Sequence, residues 1–167
     1  EGADQHVARF ALAQGLWEPG WNGGQADKGR AGGPVEVTVG GRAGFFEPTG
    51  TVRDMVVTHL LRGLGFIAME PPNRLDAESL REATGKVFDA IKPLDPARAI
   101  FGQYDGYRAE PGVAPDSTVE TFAALECLID NERCAGVPFQ LRTGKALTNS
   151  RHTPTLAFQH PAPPALT

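Results

Sequence analysis

The stretch from residue 53 to 70, RDMVVTHLLRGLGFIAME, limits what this chain can fold into more than any other. Wound at about 100° per residue, Val52, Val56, Val57, Leu60, Leu61, Leu64 and Ile67 sweep across one broad half of a helix. Asp54, Thr58, His59 and Arg62 fall in the opposite wedge, which Met55, Phe66 and Met69 share. A helix apolar on nearly all sides is expected to be buried. Its few polar groups then need partners or a wet cavity. Taken alone, the stretch leaves His59 open as a hydrogen-bonded structural residue or as a site residue. A membrane span is excluded, because Arg53, Asp54, His59 and Arg62 lie inside the segment.

Length and charge narrow the classes further. The 167 residues suffice for one domain with a sizeable core. Sixteen Lys and Arg are spread against twenty Asp and Glu, so no basic face for nucleic acid is expected. Cys127 and Cys134 have no metal-ligand spacing and are too few for a disulfide framework, so reduced thiols and a cytoplasmic location are expected, and no metal site. No signal peptide is visible, and a start at Glu1 without Met reads as a processed or excised end.

Along the chain, residues 7–18 read as a short helix. The Gly-rich PGWNGGQADKGRAGGP that follows reads as a long loop or linker. It fits neither of the common Gly-rich phosphate-binding patterns. VEVTV (35–39) alternates like a half-buried strand. GGRAGFFEPTG reads as a turn-rich connection, with Thr49 or Thr51 available to cap the long helix. Prolines after Met69 end that helix. Leu80, Val87, Phe88 and Ile91 then mark a second helix, with Asp76 as a plausible N-cap. A short strand is expected near Ile100–Tyr104. Longer ones are expected over 118–130 (helix being a competitor), 137–145 and 153–159. Strands gathered apart from helices predict an α+β fold, an antiparallel sheet with helices packed on one face. The strands over 118–130, 137–143 and 153–159 are expected to be mutual antiparallel neighbours.

Three stretches, RDMVVTHLLRGLGFIAMEPP, STVETFAALECLIDNERCAGVPFQLRTGKAL and GRAGFFEPTG, strongly resemble the carboxyl-terminal domain of glucose-6-phosphate dehydrogenases. RFA…GLWEPGWN and GQYDGYRAEPGVAPDS match more loosely, so the resemblance runs over roughly residues 9–159. The resemblance places a domain of this family over 35–160, after the N-terminal helix and Gly-rich loop (1–34) and before the Pro-rich tail (161–167). It also implies an enzyme that oxidises C1 of glucose 6-phosphate to a lactone with NADP⁺ as hydride acceptor. By the resemblance His59 is the general base, a role suited to an imidazole that titrates near neutrality. Asp54 binds sugar hydroxyls, and Lys145 reaches the anionic substrate from a strand end. On an ideal α-helix Asp54 and His59 lie about 140° apart and would flank a sugar rather than bond each other. The family also implies a homodimer or tetramer assembled through the sheet.

The departures bear on the same expectations. The family's Gly-rich nucleotide-binding half and its Asp-His-x-x-Gly-Lys segment have no counterpart here, and ADQH (3–6) lacks the spacing to replace the latter. Cofactor-binding residues are therefore expected outside this chain. Cys134 stands where the family usually has Trp, Thr84-Gly85 replaces a Glu-Lys-type pair, and Ser150 occupies the place of a second cation. Two readings follow. The chain is the catalytic-domain portion of a longer NADP-dependent dehydrogenase, inactive alone, or it is a truncated homologue serving as a dimerisation or sugar-phosphate-binding module. His6, His152 and His160 read as solvated. Arg142 reads either as a substrate-side cation or as a surface ion-pair partner.

Overall fold

The computed structural model describes residues 26–34, 37–147 and 155–158. The helical run opens with α1 (Ala43–Thr51), passes through a π-helical stretch (Val52–Leu60) and ends in α2 (Leu61–Ala68). A separate helix, α3 (Ala77–Asp89), follows. Five strands, β1 (Ala26–Pro34), β2 (Ala99–Gly102), β3 (Phe122–Leu128), β4 (Pro138–Gly144) and β5 (Thr155–Phe158), form one sheet in the order β2-β3-β4-β1-β5. The expected helix at 7–18 and the terminal segments lie outside the described residues.

The apolar stripe of the long helix does what its periodicity predicts. Val56, Leu60, Leu64, Ile67 and Ala68 are buried against Ala123, Leu125 and Cys127 of β3 and Phe139 and Leu141 of β4. Burial is not complete around the helix, however. Arg53, Val57, Thr58, His59 and Arg62 form an exposed face, with Val57 54% exposed. Among the described residues no helix is long and apolar enough to cross a membrane.

The α+β class holds, with helices on one face of the sheet. β3 pairs antiparallel with both β2 and β4, so the 118–130 segment holds a strand over Phe122–Leu128 rather than a helix. The sheet is not antiparallel throughout. β4 runs parallel to β1, and β5 pairs antiparallel with β1 instead of joining β4. The strand that intervenes lies in the Gly-rich segment expected to be a loop. Gly29 sits opposite Phe139, and a Cβ there would come within 2.5 Å of the Phe139 ring. A residue with poor strand propensity is thus required for the aromatic ring of the neighbouring strand to lie over the backbone. Arg30 Nε donates to Gln140 Oε1 at 3.0 Å and fixes the same register.

Other boundaries also moved. Residues 37–39 are not a strand, and 35–36 lie outside the described residues. Val39 instead turns inward with Ala43, Phe46 and Tyr107 to form a second small core. GRAGFFEPTG is mostly helical, ending at a break where Gly50 adopts φ 68° and ψ 169°. Neither Thr49 nor Thr51 caps the helix beyond it: Thr49 Oγ1 donates back to the Phe45 carbonyl at 2.7 Å, and Thr51 makes no side-chain cap.

The α3 N-cap is as expected. Asp76 Oδ1 accepts from Ser79 N–H at 2.8 Å. That backbone donor holds the carboxyl below the ordinary aspartate value. Asp76→Ala is expected to lower the thermal midpoint by about 2–4 °C, since one donor of the first turn loses its acceptor. A thermal melt followed by circular dichroism checks it. Cys127 and Cys134 are both free and buried, and burial pushes their thiols up to about 11, so they remain protonated packing groups at neutral pH.

Candidate functional site

Two polar residues meet where the helical run passes the end of β4. Lys145 follows β4 by one residue, and its Nζ lies 3.8 Å from Asp54 Oδ2. The side chains are only 11% and 17% exposed, so the pair sits in a recess rather than in bulk water. Partial desolvation strengthens the attraction but also makes each group dependent on the other. The Lys145 ammonium lies 5.8 Å from the centroid of the buried Phe46 ring, within cation–π range.

That ring is itself held. Tyr107 stands edge-on to Phe46 at 6.2 Å and 77°, and Tyr104 edge-on to Tyr107 at 5.5 Å and 71°. The Tyr107 hydroxyl donates to Glu47 Oε1, as does Ser117 Oγ at 2.8 Å. The Tyr104 hydroxyl donates to Glu110 and accepts from Val39 N–H at 3.1 Å. Burial, then the neighbouring carboxylate, raises the Tyr107 hydroxyl above the ordinary tyrosine value. The same Tyr107 bond, helped by Ser117, holds Glu47 below the usual glutamate value despite burial. A lowered folded-state value means the contribution is present above the unfolded glutamate value and lost as pH falls through the folded one. The stability difference between wild type and Tyr107→Phe is therefore expected to be widest near neutrality and to narrow below about pH 4. Urea unfolding at a series of pH values checks this.

His59 lies five residues beyond Asp54 on the exposed face of the same helical run. Leu61 N–H donates to the Val56 carbonyl, five residues back, so the turn between the two site residues is wider than α. The ideal α-helical spacing of about 140° therefore does not apply to this turn. Residues five apart are drawn toward a common face in π geometry. Among the described residues no side chain hydrogen-bonds or ion-pairs with His59. A groove of 540 Å³ opens beside it between the helical run and α3, lined by Val57, Thr58, Arg62, Phe66 and Arg81 among others. Asp54 and Lys145 line no part of that groove.

Arg142 is exposed and lies 5.5 Å from the Phe122 ring centroid. It alternates with the buried Leu141 and Thr143, so it belongs to the sheet face away from the helices. His6, Ser150, Arg151, His152 and His160 lie outside the described residues. The sequence reading missed Phe46 and the tyrosines that support it. A signal existed, because both tyrosines of the chain fall within one short turn-rich stretch, QYDGY. Aromatics concentrated in a turn rather than a strand or helix point to a packing role at that turn.

Comparison with known proteins gives a coherent picture. The family model described as "Glucose-6-phosphate dehydrogenase, C-terminal domain" matches residues 7–166. A glucose-6-phosphate 1-dehydrogenase of Aggregatibacter actinomycetemcomitans is 38% identical over 157 residues, covering 86% of this chain and 32% of that protein. Glucose-6-phosphate 1-dehydrogenase 1 of Mycobacterium tuberculosis is 43% identical over 134 residues, covering 74% of this chain and 29% of that protein. The crystal structure of the Mycobacterium avium glucose-6-phosphate 1-dehydrogenase superposes with a TM-score of 0.89 at 36% identity, covering 94% of this chain and 35% of that one. A glucose-6-phosphate dehydrogenase solved in complex with its substrate gives 0.85 at 31% identity, covering 94% and 35%. The chain thus spans about a third of the length of the proteins it matches.

Proposed function

The chain belongs to the glucose-6-phosphate dehydrogenase C-terminal-domain family, and on that premise we propose that it is the substrate-side part of a glucose-6-phosphate 1-dehydrogenase. The observation that carries the reading is the Asp54–Lys145 pair, recessed beneath the helix that also bears His59. Core packing requires none of these three residues. In this reading Asp54 accepts hydrogen bonds from sugar hydroxyls, and the Lys145 ammonium donates to substrate oxygens, displacing part of their mutual contact. His59, exposed and reachable by substrate, takes the proton of the C1 hydroxyl as the bond to oxygen becomes a carbonyl. NADP⁺ would receive the hydride.

The described residues do not fit that nucleotide. A pyrophosphate is commonly cradled by free backbone donors at a helix N-terminus. The first turn beyond Gly50 already donates to Glu120, and that of α3 to Asp76. The nucleotide-binding half is accordingly assigned to further sequence of the proposed longer enzyme. Ile100, Phe101 and Leu128 are exposed on the sheet, which supports association of copies through it.

With glucose 6-phosphate and NADP⁺, the longest native polypeptide containing these residues should form NADPH, seen as absorbance growth. The 167 residues alone should form none. No NADPH from the longer polypeptide overturns the proposal in favour of a non-catalytic module. NADPH from the short chain overturns the assignment of the nucleotide to additional sequence.

A further inference from the structure

One dipeptide ties both halves of the site to a single point. Glu120 and Thr121 immediately precede β3. Thr51 N–H donates to the Glu120 carbonyl at 3.1 Å, and Val52 N–H to the Glu120 carboxylate Oε1 at 3.0 Å. The helix bearing Asp54 and His59 therefore begins on Glu120. The next residue holds the other half, since Lys145 N–H donates to the Thr121 carbonyl at 2.9 Å. Thr121 is fully buried and anchored in turn. Its N–H donates to the Gly102 carbonyl at 2.9 Å, and its Oγ1 accepts from Tyr104 N–H at 2.9 Å.

The helix has no local substitute for this cap. Thr51 Oγ1 is buried without a hydrogen-bond partner among the described residues. Gly50 leaves the space that the Glu120 carboxylate fills, because a Cβ there would lie 2.6 Å from Oε1. A carboxylate at this end also opposes the positive pole of the helix. Asp54 lies only two residues beyond Val52, so any shift of the first turn reaches its carboxylate almost undamped. His59, seven residues beyond, moves less.

We infer that Glu120 is a positioning residue that sets the spacing of the Asp54–Lys145 pair, an inference that rests on the proposed sugar-phosphate role of that pair. Glutamine at this position keeps an acceptor for Val52 N–H, and alanine does not. In the longest native polypeptide, Glu120→Ala should raise KM for glucose 6-phosphate about tenfold, because small displacements of binding groups are magnified in the bound geometry. It should lower kcat by a smaller factor. Glu120→Gln should stay within about twofold of wild type in KM. Asp76→Ala, which uncaps α3 beside a groove that neither Asp54 nor Lys145 lines, serves as the control and should leave KM unchanged despite its own loss of thermal midpoint.

A Glu120→Ala KM within about twofold of wild type overturns the inference. So does an equal KM rise in Asp76→Ala, or a failure of glutamine to restore KM. If wild type forms no NADPH, it is the proposed function that fails, and the positioning is read from amide hydrogen exchange instead. Glu120→Ala must then accelerate exchange in peptides covering both 51–56 and 144–147. Acceleration confined to 51–56 overturns the coupling between the helix and Lys145.

Discussion

Replacing His59 by alanine in the native polypeptide that contains this domain should lower kcat by about 10²–10⁴-fold, the usual contribution of a positioned general base. KM for glucose 6-phosphate should change little. Binding is assigned to Asp54 and Lys145, which are paired with each other and not with His59. A loss confined to kcat is the signature of a group that acts in the transition state and not in ground-state binding. The fold should be indifferent, because the side chain is exposed and packs into neither core cluster. Steady-state kinetics alongside a thermal melt separate these outcomes. Unchanged turnover, or a collapse of stability that accounts for the loss, would sink the assignment of His59 as base.

Gly50→Ala should destabilise the fold by about 2–4 kcal/mol, from two causes that add at one residue. The backbone there has φ 68° and ψ 169°, a region in which a side chain is strained whatever the surroundings. The new Cβ would also press on the Glu120 carboxylate and remove the acceptor of Val52 N–H. Urea unfolding monitored by circular dichroism measures the change. A loss under about 0.5 kcal/mol, the range of an ordinary surface substitution, would mean that the helix enters the domain by another route.

Both predictions depend on features of unequal visibility in the sequence. His59 was marked by its chemistry, a titratable ring within an apolar helix, and by the resemblance of the surrounding residues. Asp54 shares that setting, Lys145 follows from the resemblance alone, and no spacing in the chain says that they touch. Glu120 carried no signal at all. It lies in a polar stretch before a strand, and its function as a cap appears only when a distant helix starts beside it. Gly50 looked like one more loop glycine in GRAGFFEPTG.

Local pattern by itself determined the helix through Leu60 and Leu64, the α3 helix with its Asp76 cap, and strand β4, and it favoured a strand over a helix for β3. Each rests on interactions within a few residues, side chains recurring on one face or a carboxylate reaching the next turn, so a short window of sequence contains the cause. Only the tertiary structure decided that a Gly-rich stretch becomes β1, that it runs parallel to β4, and that the helix widens between Asp54 and His59. There the cause is distant in the chain. The Phe139 ring occupies the space over Gly29, and the strand exists because a missing side chain on one segment accommodates a large one on another. The site has the same origin: Lys145 meets Asp54 because Glu120 and Thr121, joined by one peptide bond, hold the helix and the strand end together.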